Sequence, residues 1–131
     1  MANKKHRLKA GLFGIGLEAY WDQFEGLKER LESYLQVVAT KLQNGDMELV
    51  NLGLIDNPKK ALDAGHQFRQ ADVDIIFLYV TTYALSSTVL PVVQRVKVPV
   101  IILNLSPEAS INYAQFNSMN DSRAMTGEWL A

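Results

Sequence analysis

A glycine-containing loop near the start of the chain has the spacing of a phosphate-binding turn. Residues 14–19 read GIGLEA and fit the dinucleotide pattern G-x-G-x-x-A. In that pattern the glycines let the backbone approach a pyrophosphate at the N-terminus of a helix. Glu18 would place a negative charge beside the phosphates, however, and Tyr20 and Trp21 would crowd the start of the helix. A tight turn between a strand and a loop explains the same glycines equally well.

A dinucleotide site would also need an acidic residue that the second expected strand lacks. Such a residue follows the second strand and holds a ribose hydroxyl. Near the end of the predicted strand the chain has Asn51 and Leu52 instead. The glycine pattern is therefore only a weak indication of nucleotide binding.

Three predicted loops carry most of the polar side chains that could contact a ligand. The first has Glu18, Tyr20, Trp21, Asp22 and Gln23; the second has Thr81, Thr82, Tyr83, Ser86, Ser87 and Thr88; the third has Asn104, Ser106 and Glu108. Neutral hydrogen-bonding groups mixed with aromatic faces and few cations suit a neutral polyhydroxylated ligand better than a phosphate. Alternatively, the hydroxyls of the second loop cap a helix, and the aromatic residues of the first loop pack against neighbours or a partner subunit.

The counts of reactive side chains exclude several kinds of chemistry within these 131 residues. The chain has no cysteine, which excludes thiolate ligands and cysteine nucleophiles. Its two histidines, His6 and His66, have no companion at metal-ligand spacing, and no Walker or G-x-S-x-G motif occurs. We assign no catalytic residue and no metal ligand. The 13 basic and 14 acidic residues give a net charge of −1, which disfavours a nucleic-acid partner.

The hydrophobic pattern predicts strands that alternate with helices. Strands are predicted over 8–15, 47–54, 73–80 and 98–105, and helices over 24–42, 58–71 and 86–95, with a further helix after Thr126. The contiguous apolar run at 75–80 is typical of a strand buried on both faces of a parallel sheet. The order β-α-β-α-β-α-β predicts a three-layer α/β fold of the flavodoxin/Rossmann-like kind, with strand order 2-1-3-4 and helices on both faces. Its ligands would bind beyond the carboxyl ends of the strands, between strands 1 and 3.

Local signals predict where the helices begin and which side chains face inward. Asp22 and Glu25 resemble an acidic capping box for the first helix. Asn57, followed by proline, is the expected N-cap of the second helix. Leu62 and Phe68 are expected to point from that helix into the core.

The chain is predicted to comprise a basic leader over residues 1–7 and one α/β domain over 8–131. No run reaches the ~18 apolar residues of a membrane-spanning helix, and the apolar residues after the leader are too few for a signal-peptide core. We therefore expect a cytoplasmic protein without a membrane partner.

Four long segments cover nearly all of residues 8–131 and carry a family resemblance. They read GLFGIGLEAYWDQFEGLKERLE, AGHQFRQADVDIIFLYVTTYALSSTVLPVVQR, VPVIILNLSPEASINY and FNSMNDSRAMTGEWLA. This ordered set resembles the N-terminal domain of the L-arabinose/L-fucose isomerase family, in the group described as L-fucose/L-arabinose isomerase-like. The resemblance implies that the chain is the first domain of a longer protein, truncated before two further domains.

The resemblance also implies a reaction and a cofactor. Family members interconvert an aldose and a ketose with a divalent metal, usually manganese, held by two glutamates and two histidines of the later domains. The metal polarises substrate oxygens while carboxylates move a proton between adjacent carbons through an enediol. None of those ligands is expected in this chain, so the domain alone is expected to be non-catalytic.

Family members assemble as trimers or hexamers, and the N-terminal domain of one subunit closes over the active site of its neighbour. The implied role is therefore substrate capping and oligomerisation, with L-arabinose, L-fucose or a related sugar as substrate. Tyr20 matches a tyrosine that arabinose isomerases supply to this site, whereas residues 17–19 depart from their pattern and leave the sugar open. By loop position we assign to the same substrate-binding pocket Glu18, Trp21, Gln23, Thr82 and Tyr83.

Two other hypotheses stay open from the sequence. The incomplete glycine pattern would also fit a stand-alone flavodoxin-like module that binds a small ligand or a nucleotide. A purely structural assembly domain is the third possibility.

Overall fold

The computed structural model describes residues 7–43, 46–82 and 84–105. In chain order their elements are β1 (Leu8–Ile15), α1 (Ala19–Gln23), α2 (Leu27–Leu42), β2 (Met47–Ile55), α3 (Pro58–Ala71), β3 (Ile75–Val80), α4 (Ser86–Val93) and β4 (Val100–Leu103). The predicted leader (apart from its last residue), most of the third loop and the helix predicted after Thr126 lie outside the described residues.

The four strands form one parallel sheet in the order β2-β1-β3-β4, which confirms the predicted α/β architecture. β1 lies between β2 and β3, so the strand order reverses next to β1. The ladder between β1 and β2 is irregular opposite Gly53, whose φ of 77° is left-handed. Because these strands are parallel neighbours, the carboxyl ends of β1, β2 and β3 meet at one edge of the sheet.

Two hydrophobic clusters, one on each face of the sheet, make the three layers. On one face, α3 and α4 pack around Phe13, Phe68 and Val92, which are all fully buried. On the other face, α2 packs around Leu12 and Leu31. Because side chains alternate along a strand, neighbouring residues of β1 serve opposite clusters. Burial of apolar surface on both faces fixes the sheet between its helices.

Helices α3 and α4 lie unusually close together. A β-carbon built on Gly65 of α3 would lie 2.5 Å from the backbone oxygen of Pro91 in α4. Real β-carbons do not approach oxygen so closely, so this contact between the helices requires glycine. It also fixes the two C-terminal ends of these helices relative to each other.

The predicted start of the first long helix is wrong. Asp22 does not cap it but lies within the short helix α1. The chain then extends at Phe24 (φ −129°, ψ 99°) and turns through left-handed Gly26 (φ 77°), which is the N-cap of α2. This break separates Asp22 and Glu25 from the helix that they were expected to cap.

Helix α3 begins as predicted, but one of its apolar residues faces outward. The side chain of Asn57 accepts a hydrogen bond of 2.9 Å from the backbone N–H of Lys60, which confirms the N-cap. Phe68 is buried, whereas Leu62 is 40% exposed. The buried face of α3 passes through Ala61 and Phe68, and Leu62 lies one position, about 100°, away from that face.

Strand β4 and helix α4 differ in detail from the prediction. β4 spans four residues of the predicted 98–105, and Ile102 at its centre is 65% exposed. The N-cap of α4 is Leu85, with no side-chain cap, so the hydroxyls of Ser86 and Ser87 do not begin the helix. Among the helices of the described residues, none is both long and apolar enough to cross a membrane.

Candidate functional site

The polar residues of interest lie at the carboxyl ends of β1, β2 and β3. Each strand is followed by a residue that enters this region: Gly16 after β1, Asp56 after β2 and Thr81 after β3. In open parallel sheets, ligands bind at this edge, where the strand order reverses. We call the side chains of Glu18, Trp21, Asp56, Asn57 and Lys60, which are joined there by hydrogen bonds and an ion pair, the strand-end network.

Asp56 is the centre of the strand-end network. Its side chain is buried, with 3% of the residue exposed, directly after β2. One carboxylate oxygen, Oδ2, accepts a hydrogen bond of 2.7 Å from Nε1 of Trp21. The other, Oδ1, lies 3.1 Å from Nζ of Lys60, one turn into α3. A buried carboxylate needs such partners, because an unpaired charge is costly inside a protein.

Asn57 connects the network to the loop after β1. Its Nδ2 donates to Oε2 of Glu18 at 3.0 Å and to Oδ1 of Asp56 at 3.3 Å. Its side-chain oxygen meanwhile caps α3. The capping bond fixes Asn57, and Asn57 in turn brings together two carboxylates from separate loops. Glu18 itself is exposed, so its other carboxylate oxygen faces solvent.

The indole of Trp21 lies against the second glycine of the GIGLEA loop. A β-carbon built on Gly16 would lie 3.1 Å from both Cζ2 and Cη2 of the indole. The backbone N–H of Gly16 donates to the carbonyl oxygen of Ile55 at 3.1 Å. A phosphate-binding turn presents free N–H groups to its ligand. Here that N–H is engaged and the ring covers the glycine, so Gly16 serves the packing of Trp21.

The second loop contributes buried hydroxyls to the same edge. The hydroxyl of Thr81 donates to the carbonyl oxygen of Ile15 and ties the end of β3 to β1. Thr82 is also buried. Tyr83, the third predicted substrate-binding residue of this region, lies outside the described residues.

The other predicted residues of the first loop lie on α1 but do not join the network. Tyr20 is half-buried, and its ring packs edge-on against Phe24 with ring centres 6.0 Å apart. Gln23 is exposed, and its Nε2 donates to the carbonyl oxygen of Ala19 at 3.1 Å. No residue of α1 is fully buried, but Tyr20 and Trp21 are half-buried and pack against the hydrophobic cluster on the α2 face of the sheet.

The prediction that no acidic residue ends the second strand is wrong. The strand runs to Ile55, one residue further than expected, and Asp56 follows it at once. This carboxylate is bonded to Trp21, Asn57 and Lys60, and is not free to receive a ribose hydroxyl. The sequence signal that could have indicated this residue is an aspartate directly after an apolar strand. Its partner Trp21 could not be inferred, because the two residues are 35 positions apart.

A groove of about 370 Å³ lies beside the network along the exposed edge of β2. Lys28 and Glu32 of α2 line one side, and Lys60 and Asp63 of α3 line the other. The groove thus mixes both signs of charge. Within the described part of the chain, no group of three or more histidine, cysteine, aspartate or glutamate residues could hold a metal ion.

No protein-family model matches the chain, and no match was found among curated proteins. The parallel α/β fold is established by the strand order and pairing. The resemblance to the L-arabinose/L-fucose isomerase family stays a prediction.

Proposed function

We propose that this chain is the N-terminal substrate-capping and oligomerisation domain of a metal-dependent aldose–ketose isomerase that acts on L-arabinose, L-fucose or a related sugar. The sequence resemblance supplies the family. The site observation that best supports the proposal is the position of the Trp21 indole. Asp56 holds this ring where the strand order reverses. An aromatic ring fixed beside carboxylate and amide groups is suited to a polyol.

The charges of the strand-end network support a neutral ligand rather than a phosphate. Glu18 and Asp56 bring two carboxylates to this edge of the sheet, and the cation of the network, Lys60, is paired with Asp56. A phosphate placed here would meet two like charges and an engaged Gly16 N–H. A sugar hydroxyl could donate to the exposed carboxylate of Glu18 without that repulsion.

The exposure of α1 supports the capping role. A helix of five residues that carries Tyr20 and Trp21 and buries none of its side chains has apolar surface available to a neighbouring subunit. In this proposal the residues of the first loop that contact the sugar in the neighbour's active site are Glu18, Tyr20, Trp21 and Gln23. Residues Thr82 and Tyr83 are proposed for the same pocket by their position after β3.

The residues of this chain would bind and orient the sugar and would exclude water from it. Manganese, held by the later domains of the intact enzyme, would supply the polarisation of the substrate oxygens. Asp56 is unsuited to be a metal ligand because its oxygens are already bonded to Trp21, Lys60 and Asn57.

An isomerase assay on the intact natural protein tests this proposal directly. With Mn²⁺ present, we expect aldose–ketose interconversion of at least one sugar in a panel of pentoses and 6-deoxyhexoses. A complete lack of interconversion across the panel would overturn the proposed function.

A stand-alone nucleotide- or flavin-binding module is the second candidate, and it is favoured by the reversal of strand order next to β1, where such sheets bind these ligands. Calorimetric titration of the chain with nucleotides, flavin and free sugars separates the candidates. Tight binding of a nucleotide or flavin would favour the module. Weak or absent binding of these ligands is the result expected for a domain that completes its site only with a neighbouring subunit.

A further inference from the structure

A basic cavity of about 380 Å³ lies at the opposite edge of the sheet from the strand-end network. It is lined by Arg69, Gln94, Arg95 and Lys97. Three of these side chains are cations, and among the residues that the structure describes no acidic side chain lines the cavity. The chain as a whole has a net charge of −1, so this is a local concentration of positive charge.

Two segments of the chain, α3 and the connection from α4 to β4, bring the cations together. Arg69 lies in the last turn of α3, Arg95 follows the end of α4, and Lys97 precedes β4. The close contact of Gly65 with the backbone of Pro91 holds α3 against α4. Arg69 therefore lies on a helix that packs directly against α4, and Arg95 lies two residues beyond the end of α4.

Capping of α3 does not explain these cations. Basic residues near a helix C-terminus ordinarily bond the last free carbonyl groups. In α3, the backbone N–H of Asp72 already donates to the carbonyl oxygens of Phe68 and Arg69, and Nζ of Lys9 donates to that of Ala71 at 2.8 Å. The last turn of α3 is thus largely satisfied without Arg69, Arg95 or Lys97.

Ion pairing does not explain them either. Within residues 7–43, 46–82 and 84–105, we find no carboxylate paired with Arg69, Arg95 or Lys97. Nη1 of Arg95 lies 3.3 Å from Nε2 of His66, which is a contact with a ring nitrogen and not with an anion. The three side chains are exposed, so solvent screens their mutual repulsion, and their charged groups are available to an anion.

Lys97 has an uncommon backbone conformation. Its φ of 57° is left-handed, and among the described residues Asp72 is the other non-glycine residue with positive φ. Asp72 has an evident reason, because it is the C-cap of α3. Lys97 directly follows the turn of residues 94–96 at the end of α4, and its left-handed backbone leads the chain from that turn toward β4.

We propose that the basic cavity binds the phosphoryl group of a small molecule. The two guanidinium groups can each donate paired hydrogen bonds to phosphate oxygens, and Lys97 adds a point charge. Gln94 supplies a neutral donor. The site lies at the amino ends of β3 and β4, so it is separate from the strand-end network and independent of the proposed isomerase function.

Isothermal calorimetry at constant ionic strength tests this site on the 131-residue chain. The probes are inorganic phosphate and a sugar phosphate, and we expect saturable binding of at least one of them. Tighter binding of the sugar phosphate would indicate an organic ligand, and tighter binding of inorganic phosphate would indicate the free ion. Arg69→Gln and Arg95→Gln should each weaken binding by at least about tenfold, because each removes charged hydrogen bonds.

Lys41→Gln is the matched control. Lys41 is also a basic residue in the last turn of a helix, α2, but does not line the cavity. Binding by this variant should equal that of the unmodified chain. Equal weakening by Lys41→Gln and Arg95→Gln would show non-specific charge attraction and overturn the proposal, as would a lack of saturable binding of both probes. Unchanged thermal melting of each variant establishes that the fold is retained.

Discussion

The indole N–H of Trp21 donates a hydrogen bond of 2.7 Å to the buried carboxylate of Asp56, 35 residues away in the chain. This bond ties α1 to the end of β2. It adds to the packing of Tyr20 and Trp21 of α1 against the hydrophobic cluster on the α2 face of the sheet. The bond also holds the indole against Gly16, at the point where a phosphate would approach in a dinucleotide-binding turn.

Removal of the carboxylate should therefore weaken the fold and release the indole. Asp56→Ala leaves the N–H of Trp21 without its acceptor, which should lower the free energy of unfolding by about 1–3 kcal/mol. The loss should come mainly from this bond, because Lys60 is 47% exposed and its ion pair with Asp56 is screened by solvent. Urea denaturation measures the loss, and indole fluorescence in a Trp129→Phe background should shift toward the red.

Asp63→Ala is the control for that variant. Asp63 is an exposed acidic residue on α3, close to Asp56 in sequence. Its removal should change the free energy of unfolding by less than ~0.5 kcal/mol, as is usual for surface substitutions. Equal losses in the two variants would mean that the bond to Trp21 contributes little.

The contact between Gly16 and Trp21 can be tested by a double-mutant cycle. Gly16→Ala would place a β-carbon 3.1 Å from the indole, so the ring must move. We expect a loss of ~1 kcal/mol in the free energy of unfolding. In a Trp21→Ala background the same substitution should cost nothing, because Gly16 lacks a left-handed φ and alanine restricts the unfolded chain. Equal costs in both backgrounds would exclude the indole as the reason for the glycine.

Most element positions could be predicted from the sequence because they follow from local pattern, and the strand order could be predicted from the flavodoxin-like fold class that the alternation of strands and helices indicates. The apolar run at 75–80 needs burial on both faces, and such a strand belongs inside a parallel sheet. The N-cap of α3 at Asn57 could likewise be predicted from the proline that follows it. Both signals depend on neighbours within a few residues.

The strand-end network could not be predicted because it depends on contacts between distant segments. The extension of β2 by one residue to Ile55 puts Asp56 at the strand end, and only the folded sheet brings Trp21 to it. The break at Gly26 was missed because the spacing of Asp22 and Glu25 fits a capping box, and that spacing does not show that α2 begins only after Gly26. Whether Glu18 and Trp21 touch a sugar stays a prediction, although the structure brings both into one network.

The approach of α3 to α4 predicts a large effect from a small substitution. Gly65→Ala would place a β-carbon 2.5 Å from the backbone oxygen of Pro91, and backbone cannot move aside as a side chain can. We expect a loss of about 1–3 kcal/mol in the free energy of unfolding. Gln67→Ala, at an exposed position on the same helix, should change it by less than ~0.5 kcal/mol. A stable Gly65→Ala protein in urea denaturation would contradict this packing.

The left-handed backbone at Lys97 predicts a gain in stability when its side chain is removed entirely. Lys97→Gly should raise the free energy of unfolding relative to Lys97→Ala by about 1 kcal/mol, since glycine adopts positive φ without steric cost. Both variants remove the same charge, so the difference between them reports on the backbone at this position and not on the charge. If thermal melting ranks the alanine variant above the glycine variant, Lys97 is not strained in the folded protein.

Substitutions of Tyr20 can separate a role in sugar binding from a role in packing. Its ring packs on Phe24, whereas the part of its side chain that α1 leaves exposed is available to a neighbouring subunit. Tyr20→Phe keeps the ring contact, so the free energy of unfolding should change by less than ~0.5 kcal/mol. In the intact protein, the same variant should raise the sugar KM by about tenfold if the hydroxyl bonds the substrate.

Gln36→Ala, on an exposed part of α2, is the control and should leave KM unchanged. An unchanged KM in Tyr20→Phe and also in Tyr20→Ala would remove Tyr20 from the sugar site, whereas a raised KM in Tyr20→Ala alone would assign the effect to its ring.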